Sequence, residues 1–136
     1  MTTERYVTKA SELKASGTPL REFRGVLQDI QARADRDRTL MDLSFTNVEV
    51  LKVVEGAVYD YPVAQLNIRY SDRERSGWGK LLKSAEEQGC DDLMLLKGKK
   101  LLLSAHIEQY GINAETGQQM EGLVWNVMQI EGVAGK

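Results

Sequence analysis

Arg33, Arg36 and Arg38 fall within six positions of one another in "ARADRDR". A guanidinium carries a planar fork of donors that fits a phosphate and can also stack on a base. Three of them on one short segment therefore suggest contact with a nucleic-acid backbone. Asp35 and Asp37 are interleaved, which leaves a local charge near +1 and makes a solvated, self-paired turn the competing expectation. Tyr59, Tyr61 and Tyr110 sit in or beside stretches that read as loops and are the candidate stacking rings, each stacked base being worth about 1–3 kcal/mol. Phe45, Tyr70 and Trp125 fall on apolar faces and are expected in the core, as are Met41, Met94, Met120 and Met128.

Other chemistry is thinly represented. His106 is the single histidine and stands in no nucleophile motif. One cysteine and one histidine supply too few soft ligands for a structural zinc site. Asp91-Asp92 reads as a turn pair. "LLKGKK" departs from a phosphate loop, with Leu93 where the first glycine is needed and Lys100 where Ser or Thr should follow the lysine. The expectation is a protein without catalytic residues, metal or cofactor.

The elements that would position these residues follow from periodicity. In "TPLREFRGVLQDIQARADRDR", Leu20, Phe23, Leu27, Ile30 and Ala34 have helical spacing behind a Thr18-Pro19 start, yet Gly25 interrupts the pattern and Val26, Ile30 and Ala32 also fit a strand. Met41, Leu43 and Phe45 alternate with polar neighbours. After Asn47 the apolar set moves to Val48, Val50 and Val53, as at a bulge. Ala64, Leu66, Ile68 and Tyr70 form one face of a third strand, with Gln65, Asn67 and Arg69 on the other. Ser76 is a helix cap, Trp78, Leu81, Leu82 and Ala85 form the helix's apolar stripe, and Gly89 stops it. A turn at Lys97-Gly98 leads into a strand with Leu101, Leu103, Ala105 and Ile107 on one face. "INAETGQQMEG" reads as a loop and "LVWNVMQIEGV" as the closing strand. Residues 1–17 read as a mobile arm, with one helical turn around Ala10 to Lys14, and residues 134–136 as a tail around one domain over 18–133.

Counted from Arg38, four strands leave two bare sheet edges, and a fifth lets the sheet curl. Residues 22–33 are therefore expected to be a strand despite their helical period, with Gly25 at a bend. The order becomes β-β-β-α-β-β, an all-β domain with one helix and a five-stranded barrel that the helix plugs. With this order, and with "YPVAQLNIRYS…SGWG" at its centre and "LKGKKLLL" at its fourth strand, the chain resembles OB-fold proteins that bind single-stranded nucleic acid, phage and prophage members among them, over roughly residues 20 to 133. The resemblance implies a ligand lying across strands two and three, between the first and last hairpin loops. Those places are Asp42, Ser44 and Thr46; Gln65, Asn67 and Arg69; Arg33, Arg36 and Arg38; and Gly111 to Gln119. It implies an accessory binder of single-stranded DNA, or alternatively RNA, in replication, recombination or repair. The same barrel could instead serve as a protein-binding adaptor, which the near-neutral charge and ring-poor groove favour.

The totals agree with a single soluble domain. The chain has 136 residues, 42% hydrophobic and 28% charged, and a net charge of −2 that sets up no global attraction to nucleic acid or membrane. No apolar run approaches a membrane span, and the first residues lack a secretory signal. A lone Cys90 suits a reducing cytoplasm. Val124 and Met128 read as outward apolar positions that could support a homo-oligomer.

Overall fold

A computed structural model describes residues 18–112 and 114–132. The arm and its helical turn expected before residue 18, and the tail after 133, lie outside the described residues. Five antiparallel strands form one sheet: β1 (Leu20–Asp35), β2 (Arg38–Val53), β3 (Ala64–Arg69), β4 (Lys100–Ile112) and β5 (Gln119–Ile130). Their order is β3-β2-β1-β4-β5, and a single helix, α1 (Gly77–Glu87), lies between β3 and β4 in the chain. No helix is long and apolar enough to cross a membrane.

The ambiguous first segment is a strand of 16 residues. Its buried positions are Leu20, Phe23, Gly25, Leu27 and Ile30, spaced three, two, two and three apart. Register shifts against β2 at both ends of the run insert the extra residues. Each bulge converts a step of two into a step of three, so a bulged strand imitates the period of a helix.

One bulge is fully legible. Arg24 pairs with Glu49 and Val26 with Thr46, so Asn47 and Val48 together oppose Gly25. Asn47 takes the left-handed conformation, with φ of 52°, which asparagine tolerates better than most residues. Gly25 sits at a close approach, since a Cβ there would lie 3.2 Å from the Cβ of Phe45 and 3.3 Å from the ring of Phe23.

The core draws residues from all five strands and from α1. Phe23 is fully buried and meets Phe45 and Trp125 edge-on, with ring centroids 5.1 and 5.6 Å away. From α1, Trp78, Leu81 and Ala85 join this cluster. The helix begins at Ser76, whose hydroxyl accepts from the Gly79 N–H at 3.0 Å and donates to the Arg73 carbonyl at 2.7 Å. It ends before Gly89, which has a φ of 101°. The fourth buried helix residue is Ser84 in place of the expected Leu82. Its hydroxyl donates to the Leu81 carbonyl and accepts from the Val127 N–H, both at 2.7 Å, tying α1 to β5. The helix packs chiefly on β5 and also touches β3, the two outermost strands of the sheet.

Several side-chain expectations need correction. Tyr70 is 49% exposed, because β3 ends at Arg69 and Tyr70 stands past the covered layer, its N–H donating to the Thr39 carbonyl. Ile107 is exposed because β1 runs beside β4 only as far as Ser104. Val124 is buried and offers no outer surface. Met94 is exposed where packing was expected, Met128 is exposed as its outward reading had it, and Met41 rests against the core. The side chain of Met120 lies outside the described set. The loop read over 112–122 is shorter than expected, since β4 extends to Ile112 and β5 starts at Gln119. A 3-10 turn over Leu93–Leu96, capped by the Asp92 carboxylate on the Met94 N–H, adds Leu93 and Leu96 to the core.

Candidate nucleic-acid interface

Residues directly opposite one another in an antiparallel pair project from the same face. On the outer face of β1, β2 and β3 this gives three rows: Arg33, Leu40 and Arg69; Gln31, Asp42 and Asn67; and Asp29, Ser44 and Gln65. The expected polar strip therefore exists as a geometric unit, with Thr46 at its bulged end. Its amides are partly engaged with one another. Gln65 donates to Asn67 at 3.1 Å, and Gln28 donates to Thr46 at 3.2 Å.

The arginines divide into two kinds. Arg33 and Arg38 lie within strands, and only Arg36 and Asp37 form the hairpin tip, with Asp35 opposite Arg38. Arg33 Nε is 2.7 Å from Asp42 Oδ2, and this carboxylate raises the guanidinium pKa. Arg38 pairs with Asp35 at 3.1 Å. Both are thus neutralised, Arg38 within the segment as the competing expectation had it and Arg33 by Asp42 outside it. Arg36 is exposed and left-handed with φ of 59°, a conformation that costs a residue with a Cβ about 1–2 kcal/mol. Among the described residues, neither Arg36 nor Arg69 makes an ion pair. Asp29, on the last row, is held below the usual carboxylate range by Lys97 foremost, with help from Gln31 and the Ile30 N–H.

The aromatic candidates are not gathered at that end. Arg69 opposes Leu40 near the hairpin tip, whereas Ala64, where β3 begins, opposes Phe45. Tyr59 and Tyr61 precede Ala64, so β3's length of about 17 Å separates them from the arginines. Their rings meet edge-on at 5.3 Å. Tyr59 rests against the core, its hydroxyl donates to the Val63 carbonyl at 2.5 Å, and burial raises its pKa. Tyr61 is 65% exposed and free to stack. Tyr110 belongs to β4, which β1 separates from β2 in the sheet, and its side chain is outside the described set. The ring that does stand at the arginine end is Tyr70, which alternation alone assigned to the core. The signal was its place as the last apolar residue before the polar run "SDRERS", where nothing follows to cover it.

His106 belongs to a separate chain of contacts. Its Nε2 lies 2.6 Å from Glu108 Oε2, its Nδ1 lies 3.2 Å from the Asn126 amide nitrogen, and Glu108 also pairs with Lys80 of α1. Lys80 first, and His106 second, hold the Glu108 carboxyl below its ordinary pKa. A depressed carboxyl pKa contributes stability above the unfolded value, lost as pH falls through the folded one. Glu108→Gln should therefore flatten the acid limb of the stability curve, checked by comparing melting temperatures from neutral pH to about pH 3. Among the described residues, no three metal-binding side chains come together.

No protein-family model matches the chain. A search of curated proteins finds no match either.

Proposed function

We propose that this protein is an OB-type barrel that binds single-stranded DNA, or RNA, as an accessory factor in replication, recombination or repair. The β3-β2-β1-β4-β5 order, with α1 against both outer strands, supports that fold assignment. The observation that carries the functional reading is one end of the sheet, where Arg36 and Arg69, without ion pairs among the described residues, and a half-exposed Tyr70 all lie toward the β1–β2 hairpin. The two cations hold phosphates, Tyr70 stacks on a base, and the amides of Gln65 and Asn67 meet the next nucleotide. No step makes or breaks a bond.

Fluorescence anisotropy with a labelled oligo-dT, and with its RNA counterpart, tests this across about 50 to 200 mM salt. Arg36→Ala with Arg69→Ala should reduce the salt slope by about 1.4, at roughly 0.7 per phosphate on a single strand. Tyr70→Ala should weaken binding by about 1–3 kcal/mol without changing the slope. Absence of binding at the lowest salt would overturn the proposal. The protein-binding reading would then lead, favoured by the exposed Val54, Val58, Tyr61 and Val63 in and beside the β2–β3 connection.

A further inference from the structure

At the β1–β2 hairpin, Asp42 and Asp35 neutralise Arg33 and Arg38 and leave Arg36 without an ion pair among the described residues. A second concentration of positive charge lies where β4 begins. Two open clefts adjoin at this point and share Lys100 and Glu131 as lining residues. The first, of about 420 Å³, has Arg24 on one wall and Gln129 on the other. The second, of about 370 Å³, is lined by Lys99, Gly98 and the bulge residue Asn47.

Three cations, Arg24, Lys99 and Lys100, and one anion, Glu131, line the clefts; with Glu49, the partner of Arg24, included, the local charge is about +1 on a chain whose total is −2. Among the described residues neither lysine has an ion-pair partner, and Arg24 has only a long contact of 3.7 Å to Glu49. The backbone fixes this arrangement. Gly98, with φ of 86°, turns the chain so that Lys99 and Lys100 line the same cleft. The Gly98 N–H donates to the Leu27 carbonyl at 2.7 Å, the Leu27 N–H to the Lys99 carbonyl at 3.0 Å, and the Glu131 N–H to the Lys100 carbonyl at 2.9 Å. The left-handed turn at Asn47 places its amide, a donor of two hydrogen bonds, on the wall of the second cleft.

From this geometry we infer that the paired clefts around Lys100 are a phosphate-binding site, and that the groups it takes are successive phosphates of a nucleic-acid strand. Two adjoining clefts with one lysine between them suit a run of phosphates better than one compact anion. The identity of the ligand rests on the single-strand reading; the affinity for phosphate does not. Glu131 weakens the site by repulsion and so gives the test a sign.

The experiment compares the full chain with Lys99→Gln/Lys100→Gln and with Glu131→Gln. Circular dichroism confirms that each variant is folded. With oligo-dT, the double lysine variant should lose about 1.4 from the salt slope. Glu131→Gln should tighten binding roughly two- to fivefold. If the wild type binds but the lysine variant keeps its slope, the clefts are not a phosphate site and the single-strand reading survives. If the wild type binds no oligonucleotide, that reading falls, and inorganic pyrophosphate followed by amide chemical shifts decides the clefts alone. Shifts confined to Asn47, Gly98, Lys99 and Lys100, and lost in the double variant, would support the site; their absence would overturn it.

Discussion

Phe23→Ala should destabilise the protein by about 3–5 kcal/mol, the range for removing a fully buried ring from a packed core. Phe23 has no exposed surface, and its ring is the meeting point of β1, β2 and β5, in edge-on contact with Phe45 and Trp125. A truncated side chain at position 23 leaves both partners facing a void that neither can fill without moving its own strand. For a domain whose total stability falls in the usual range of about 5–15 kcal/mol, this is a fifth or more of the whole. Urea denaturation followed by tryptophan fluorescence measures it, because Trp125 reports directly on the lost ring. Phe23→Leu, which keeps most of the volume, should lose much less. A loss below 1 kcal/mol for the alanine variant would show that this ring does not hold the strands together.

Gly79→Ala is the second large effect, and its sign opposes intuition. In an exposed helix, alanine is better than glycine by about 1 kcal/mol. Here a Cβ at residue 79 would lie 2.3 Å from the Arg73 carbonyl oxygen and 2.7 Å from that of Glu74. Both are backbone atoms, so no rotamer change relieves the overlap and the connection before α1 must move. The Ser76 hydroxyl that caps the Gly79 N–H also bonds the Arg73 carbonyl, so the cap is strained together with the loop. The expected net destabilisation is about 2–4 kcal/mol, overpacking plus a lost cap less the propensity gain. Gly77→Ala serves as the control, since a Cβ there meets nothing within 4 Å and should be close to neutral. Parallel thermal melts distinguish the two, and equal melting temperatures would contradict the close approach.

How far these features could be read from residue order depends on how local their cause is. Ser76, Gly89 and the alternation of Met41, Leu43 and Phe45 are local, and the structure places them as expected. The bulge at Asn47 was visible as a change of apolar face. β1 required a topological reason, because its own bulges disguise a strand as a helix. Burial at the ends of strands was the least legible. Tyr70, Ile107 and Val124 follow alternation but are covered or bared by where neighbouring strands stop, which no single segment records. The polar faces of β2 and β3 were recoverable because alternation sets them, while the β1 positions Asp29 and Gln31 joined them only through the strand register. The pairing of Arg33 with Asp42 was not, since their contact crosses two strands nine residues apart.

The central place of β1 also bears on how the chain is made. Its partner on one side, β2, follows at once, but its partner on the other side emerges only with Lys100–Ser104, about 75 residues after Val26. At translation speeds of roughly 5–20 residues per second, that edge waits about 4 to 15 s beside the ribosome with its hydrogen bonds unclaimed. Contacts with nascent-chain chaperones should therefore concentrate on Leu20 to Val26 and end when the fourth strand leaves the exit tunnel.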